Sequence, residues 1–250
     1  MNLCLALTRR ELGSYFASLI GYVIIGISLF LIGLSFSNVL ELLNTRPTDV
    51  PVSELFFKSW YFWLILLLAT PLLTMRLFAL EKSTGTFETL TTTPVREWQI
   101  VLAKFTSAVV VYILIWLPLM LCLLGVRWYA RDVADAGAGT VVSTFLGIVL
   151  VGALYLAMGC FASSLTSSQS IAAMLSFGLG AGMFLLSYWV LYAPDQLGTL
   201  APALSRFSSI EHLQDFARGV LDTRHLVFYA SSILLFLYLT LKVLESRRWK

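Results

Sequence analysis

The sequence has few charged residues: Asp, Glu, Lys and Arg make up 12% of the chain, whereas 58% of its 250 residues are hydrophobic. A soluble globular domain carries roughly 25% charged residues, so this composition cannot cover a water-exposed surface. The mean hydropathy of +0.85 agrees with that reasoning. We therefore predict an integral membrane protein. The net charge of +3 is small and most of the basic residues lie at the edges of apolar runs, which argues against nucleic-acid binding.

Cysteine and histidine are also scarce, with three and two copies respectively. Cys4, Cys122 and Cys160 share no close spacing, which argues against a disulfide framework or a metal cluster. His212 and His225 lie in or beside one polar segment. We interpret them as solvated or interfacial side chains rather than as metal ligands, so no metal site is predicted.

The signatures of common enzymes are missing from the sequence. It contains no G-x-x-x-x-G-K-[ST] phosphate loop, no H-E-x-x-H and no G-x-S-x-G. We therefore predict that the chain is not itself an enzyme and has no catalytic residues.

Long apolar runs dominate the chain, and a run of about 20 residues crosses a bilayer as a helix. Six spans are predicted: near 19–40, at 59–75, at 105–126, two within the uncharged run 136–194, and at 226–241. A hairpin at 162–169 separates the two spans of the long run. Because the first uncharged run starts at Leu12, an interfacial helix is predicted before span one. We predict an all-α integral membrane fold, with residues 1–250 forming a single transmembrane domain.

The orientation is predicted from the Lys and Arg residues, because positively charged segments resist translocation. With both termini inside, the inner face holds Arg9, Arg10, Arg76, Lys82, Arg96, Lys104, Lys242, Arg247, Arg248 and Lys250. The outer face then holds Arg46, Lys58, Arg127, Arg131, Arg206, Arg218 and Arg224. This modest bias, together with the even number of spans, favours cytoplasmic termini.

The polar segment between spans two and three is predicted to contain a short helix parallel to the membrane. Gly85 can change the direction of the chain, and a helix can start at about Thr86. Thr93 and Pro94 form a good N-cap and first-turn pair for the helix that leads into span three.

This segment also has a mixed acidic and apolar surface. Glu81 and Glu88 lie beside Phe87 and Leu90, a combination suited to docking in the groove of a partner. The alternative, an ordinary solvated loop with two glutamates, accounts for the local pattern equally well.

The run 71–94, PLLTMRLFALEKSTGTFETLTTTP, resembles the permease subunits of ABC-2 type transporters, particularly those similar to the gliding-motility permease GldF. The segments GYVI at 21–24, FASSLT at 161–166 and FARGVLD at 216–222 resemble the same group. The resemblance therefore touches nearly the whole chain. One departure is Leu80, where members of the family often have a second acidic residue.

The resemblance implies an exporter in the bacterial inner membrane, with six spans per subunit. It implies as partners a cytoplasmic pair of ABC ATPase subunits, a second permease that is either the same chain or a related one, membrane lipid and a gliding-motility-type accessory membrane protein. ATP and Mg would be bound by the ATPase, and no cofactor by this chain. The residues that the resemblance assigns to the ATPase-coupling region are Glu81, Lys82, Gly85, Thr86, Glu88, Leu90 and Pro94.

The segment after span five resembles the short extracellular helices of the same family. Ser208 to Glu211 forms a capping-box pattern. Apolar residues recur at helical spacing at Leu204, Phe207, Ile210, Leu213, Ala217, Val220 and Leu221. We interpret this helix as an outer gate formed by Phe207, Ile210, Leu213, Phe216 and Arg218. The alternative is a passive interfacial anchor, which would show the same apolar stripe.

Gly178 and Gly182 in span five form a small-xxx-small pattern that allows another helix to approach closely. They are predicted to pack either against a second subunit or within one subunit.

Two other functions compete with the ABC permease. A secondary carrier or channel would work without an ATPase, but such carriers usually keep an ionisable residue inside the bundle, and here each Asp, Glu, Lys and Arg lies near a predicted span end. A membrane scaffold for a motility or secretion assembly would bind partners without transport.

Overall fold

A computed structural model describes residues 3–45, 52–86, 96–129, 138–192 and 204–247. Its regular structure in these ranges is helical, with no strand. The helices are α1 (Leu3–Ala17), α2 (Leu19–Thr45), α3 (Val52–Lys58), α4 (Trp60–Thr74), α5 (Ala79–Ser83), α6 (Glu97–Tyr129), α7 (Ala138–Leu165), α8 (Gln169–Tyr192), α9 (Ser209–Ala217) and α10 (Thr223–Arg247).

Six helical segments in the described part of the chain are long and apolar enough to cross a membrane. They are α2, α4 continued through α5, α6, α7, α8 and α10. The predicted all-α fold with six spans is therefore confirmed. The turn between α7 and α8 falls at 166–168, inside the hairpin that the sequence predicts.

The start of the third span differs from the prediction. The sequence predicts a start at residue 105, because Lys104 marks the end of the preceding polar stretch. Helix α6 instead begins at Glu97 and contains Lys104, whose side chain is only 3% exposed. The charge is tolerated inside the helix because acidic side chains from two other helices lie against it.

Helix α7 lies at the centre of the bundle and packs against α4, α6, α8, α9 and α10. Its glycines allow this close packing. A Cβ atom at Gly152 would lie 2.1 Å from the ring of Tyr112, and one at Gly159 would lie 2.2 Å from the hydroxyl oxygen of Thr74. Substituting either glycine would therefore force neighbouring helices apart.

Helices α2, α8 and α10 have large apolar side chains on their outer faces. Leu19 is 80% exposed, Met174 74% and Leu234 66%. Such surfaces suit lipid or a second membrane subunit rather than water.

Shorter helices lie at the two ends of the bundle. Helix α1 packs against α6 and α2, and α5 follows α4 at the same end, which we call the α1 end. Helices α3 and α9 contact each other at the opposite end, which we call the α3 end. The two candidate sites lie at these two ends.

Candidate functional site

Helix α5 is a short element that follows the second span at the α1 end. Residues 75–78 form a turn after α4, and α5 then runs from Ala79 to Ser83. Gly85 follows with a φ angle of +72°, a left-handed conformation that glycine adopts without strain. This conformation suits the predicted change of chain direction at Gly85, although residues 87–95, which follow it, lie outside the described ranges.

Four charged side chains from α1, α5 and α6 meet beside this turn. The Lys104 ammonium donates to Glu81 Oε1 at 2.8 Å and lies 3.3 Å from Glu11 Oε2. Arg10 lies 2.8 Å from Glu11 and 3.6 Å from Glu81. We call Arg10, Glu11, Glu81 and Lys104 the four-charge cluster. It ties α5 to the interfacial helix α1 and to the third span.

Helix α5 is also fixed to the end of α7. The backbone N–H groups of Phe78 and Ala79 donate to Ser163 Oγ at 3.1 and 3.2 Å. These N–H groups lie at the N-terminal end of α5 and have no partner within the helix. Ser163, which belongs to α7, therefore caps α5. Ser163 Oγ in turn lies 3.3 Å from the carbonyl oxygen of Met75, to which it donates. Lys82 Nζ donates to the carbonyl oxygen of Ser164.

The residues that the resemblance assigns to ATPase coupling are only partly within the described ranges. Glu81 and Lys82 make the contacts above, whereas Gly85 and Thr86 are exposed. Glu88, Leu90 and Pro94 lie outside the described residues, as does most of the helix predicted from about Thr86. The helix that the structure does describe here, α5, ends before Gly85.

Sequence reasoning missed the partners of Glu81. The sequence pattern places Lys104, Glu11 and Arg10 at span edges and does not pair them with Glu81. It also gives Ser163, which caps α5, no role beyond the hairpin motif. A weak signal was present, since Lys104 is a cation at the start of an apolar run and needs an anion nearby. The sequence alone does not show which anion that is.

At the α3 end, α9 has the predicted cap but is shorter than predicted. The backbone N–H of Glu211 donates to Ser208 Oγ at 3.4 Å. The helix ends at Ala217, and Gly219 has a φ angle of +84°. Because the chain turns there, the apolar residues predicted from 204 to 221 do not form one helix.

The proposed gate residues fall into different environments. Ile210, Leu213 and Phe216 are buried, but Phe207 is 49% exposed and lies edge-on to Phe228, with 5.6 Å between the ring centroids. Beyond the end of the helix, Val220 and Leu221 are also about half exposed. Only the middle of the predicted apolar stripe packs into the bundle.

The C-terminal end of α9 is held by residues from α3 and α7. Arg218 donates from two guanidinium nitrogens to the carboxylate of Glu54, at 2.9 and 3.1 Å. Ser53 Oγ donates to the carbonyl oxygen of Ala217 at 2.9 Å, and Ser143 Oγ to that of Phe216 at 2.7 Å. The bond to Ala217 satisfies a carbonyl group of the kind that a helix end leaves without a partner. The bond to Phe216 adds a second donor to a carbonyl that also accepts from the Gly219 N–H at 3.1 Å. Helix α9 is thus anchored in the protein.

One of the two histidines, His212, differs from the prediction. His212 is only 3% exposed, so its interpretation as a solvated or interfacial residue is wrong. Its Nδ1 lies 3.2 Å from the Tyr229 hydroxyl, and its ring centroid lies 4.0 Å from that of His225. His225 Nε2 lies 3.0 Å from Asp215 Oδ2. No group of three metal-ligating residues occurs among the residues described.

The pKa of His212 is lowered to about 4. Burial is the main cause, and the nearby His225 adds to it, while Asp215 and Asp222 oppose the shift. His212 is therefore neutral at pH 7.

Gly178 and Gly182 lie on the outer face of α8, where a Cβ atom would have no neighbour within 4 Å. Gly180, between them, faces inward, and a Cβ there would lie 3.1 Å from the ring of Tyr155. Within the described ranges, the two predicted packing glycines thus have open space in front of them.

Six apolar spans, with short helices fixed at both ends of the bundle, define a multi-pass α-helical membrane protein. The family described as ABC-2 family transporter protein matches residues 44–241, and the chain therefore belongs to this family. It is the membrane-spanning permease component of an ABC transporter. The family-level prediction is confirmed. A comparison with curated proteins gives no match.

Proposed function

We propose that the chain is the permease subunit of an ABC-2 type exporter in the bacterial inner membrane, driven by a separate pair of cytoplasmic ATPase subunits. Both termini are cytoplasmic, so the α1 end faces the ATPase. The observation that carries this proposal is the attachment of α5 to three other helices, through the four-charge cluster and through Ser163.

The contacts of α5 suggest how ATP binding would act on the spans. Closure of the ATPase dimer on ATP pushes the segment 81–94, which begins within α5. Because Glu81 is bound to Lys104, the push reaches α6, and because Ser163 caps α5, it also reaches α7. Nucleotide then shifts the population between two arrangements of the bundle. ATP and Mg act on the partner, and this chain supplies the mechanical connection.

Helix α9 is proposed as the gate at the outer end of the path. Two observations support this proposal: Leu213 and Phe216 are buried against the bundle, and α9 contacts the central helix α7. Movement of α7 would therefore act on α9 directly. The Arg218–Glu54 pair would hold the gate in the closed position.

A second permease subunit, either a copy of this chain or a related one, is proposed to cover the outer face of α8. The support is the open space in front of Gly178 and Gly182, which would let a helix approach closely. A gliding-motility-type accessory protein, suggested by the resemblance to GldF, is a further proposed partner and rests on that resemblance alone.

The test is to extract the tagged chain from native membranes in mild detergent and to identify stoichiometric partners by mass spectrometry. An ATPase with a phosphate-loop motif should co-purify, and Glu88→Lys should reduce its recovery at least tenfold. Glu245→Lys is the matched control, because Glu245 is an acidic residue near the C terminus, on the same proposed face, and pairs with Lys242 of its own helix. It should retain the ATPase.

Two results would contradict the proposal. Purification without an ATPase, together with transport that collapses with the ion gradient, would indicate a secondary carrier. Binding of partners without any nucleotide-dependent conformational change would indicate a membrane scaffold.

A further inference from the structure

A cleft of about 350 Å³ opens beside the four-charge cluster at the α1 end. Helices α1 and α2 form one side of it, and the end of α4, the start of α5 and Lys104 of α6 form the other. Because α2 and α4 begin or end their spans here, the cleft lies at the depth where lipid headgroups meet the protein.

Two unpartnered polar atoms belong to residues that line this cleft. Arg76 Nε and Glu81 Oε2 are both buried and have no hydrogen-bond partner among the described residues. Arg76 donates from a terminal nitrogen to Ser18 Oγ at 2.8 Å, and no acidic side chain in the described ranges pairs with it. A buried donor and a buried acceptor without partners are unfavourable, so a ligand that supplies both partners would be stabilised here.

The charges of the cleft indicate what such a ligand carries. The other two cations, Arg10 and Lys104, already lie against Glu11 and Glu81. Arg76 is left as the cation available to an anion, and the planar guanidinium fork suits phosphate. The free oxygen of Glu81 would repel a purely anionic group and favours a hydrogen-bond donor with a positive charge.

The cleft also has an apolar wall. Ile20, Ile24 and Leu77 line it, together with Leu72 and Leu80, which are each 37% exposed. The neighbouring Leu19 is 80% exposed on the outer surface of α2. The polar cleft is therefore continuous with a surface that suits acyl chains, which favours an amphiphile over a small soluble ion.

We propose that this cleft binds the headgroup of an aminophospholipid from the membrane leaflet at the α1 end. The phosphate accepts hydrogen bonds from Arg76, and the primary ammonium donates to Glu81 Oε2. A choline headgroup has no N–H to donate, and a glycerol headgroup has no positive charge, so both bind less well. This site shares Glu81 with the proposed ATPase-coupling region. Lipid binding here needs no ATPase, so the proposal stands whether or not the chain is an exporter.

The test compares lipids on the purified, delipidated full chain by native mass spectrometry and by the midpoint of thermal unfolding. Phosphatidylethanolamine should bind at least tenfold more tightly than phosphatidylcholine or phosphatidylglycerol and should raise the midpoint. Equal binding of the three lipids by the wild-type chain would overturn the proposal, and this competition needs no variant. Soluble phosphoethanolamine or inorganic phosphate should not raise the midpoint. A rise with either would assign the cleft to a free anion instead.

Variants locate the site. Arg76→Gln should lose the preference for phosphatidylethanolamine, whereas Arg76→Lys should retain part of it. Arg9→Gln is the matched control, because Arg9 is an exposed cation of α1 that does not line the cleft. A folded Arg76→Gln variant that still prefers phosphatidylethanolamine tenfold would show that the lipid binds elsewhere.

Discussion

Lys104 Nζ donates to Glu81 Oε1 at 2.8 Å, and this contact joins the third span to the short helix that follows the second span. The lysine side chain is 3% exposed and the glutamate side chain 15%, so neither charge is well solvated by water. Glu11 approaches the same ammonium at 3.3 Å. A single lysine therefore holds α1 and α5 against α6.

Lys104→Met should destabilise the protein by about 3 kcal/mol, because it removes the buried cation that two largely buried acidic side chains share. Arg10, which stays beside both acids, is 54% exposed and compensates little. Lys242→Met is the matched control. Its ion pair with Glu245 is about half exposed and screened by water, so its loss should cost far less than the loss of Lys104. Chemical unfolding in detergent measures both. Similar losses for the two variants would show that the buried pair has no special role.

Ser163→Ala should destabilise the junction between α5 and α7 by about 1–3 kcal/mol, because two backbone N–H groups lose their acceptor. Ser164→Ala is a close control. Ser164 is equally buried, but among the described residues its hydroxyl donates within its own helix, to the carbonyl oxygen of Phe161. The thermal midpoint should fall for the first variant and change little for the second. The reverse order would rule out capping of α5 by Ser163.

The spans could be predicted from the sequence because they depend on local properties. An uncharged run of sufficient length crosses a bilayer whatever its neighbours are, and Ser208 caps α9 through a residue three positions away. Contacts between distant residues could not be predicted. Arg218 and Glu54 are 164 positions apart, and no periodicity relates them.

The packing of the glycines also depends on distant residues and could not be predicted from the sequence. The spacing of Gly178 and Gly182 predicts close packing, yet in the described structure neither has a close neighbour, whereas Gly152 and Gly159 of the central helix are among the glycines that do. A glycine in a membrane helix gains its role from the helix opposite, which local sequence does not identify. The partners of Glu81 were missed for the same reason.

The loss of stability should depend on which partner of the Arg218–Glu54 pair is removed. The Glu54 side chain is 2% exposed and that of Arg218 is 55% exposed. Arg218→Ala removes the bidentate cation from a buried carboxylate, whereas Glu54→Gln leaves a guanidinium that water can solvate. Arg218→Ala should therefore cost at least about 1 kcal/mol more than Glu54→Gln. Unfolding of both variants and of the double variant measures this difference. Equal losses would contradict the argument.

His212 should make the stability depend on pH in a defined range. Its pKa is about 4 in the folded protein and about 6.5 when the side chain is exposed on unfolding. Between these values the unfolded state binds a proton that the folded state does not, so stability falls as the pH is lowered from 6.5 towards 4. The slope from this residue is at most about 1.4 kcal/mol per pH unit, and its contribution is constant above and below the range.

His212→Gln should remove this part of the pH dependence, which is measured as the difference between the unfolding midpoints of the two proteins across pH 4 to 8. His225→Gln is an informative second variant, because His225 helps to lower the pKa of His212. Without it the folded pKa should rise and the pH-sensitive range should narrow. Parallel midpoint curves for wild type and His212→Gln would mean that the buried imidazole does not titrate differently in the folded and unfolded states.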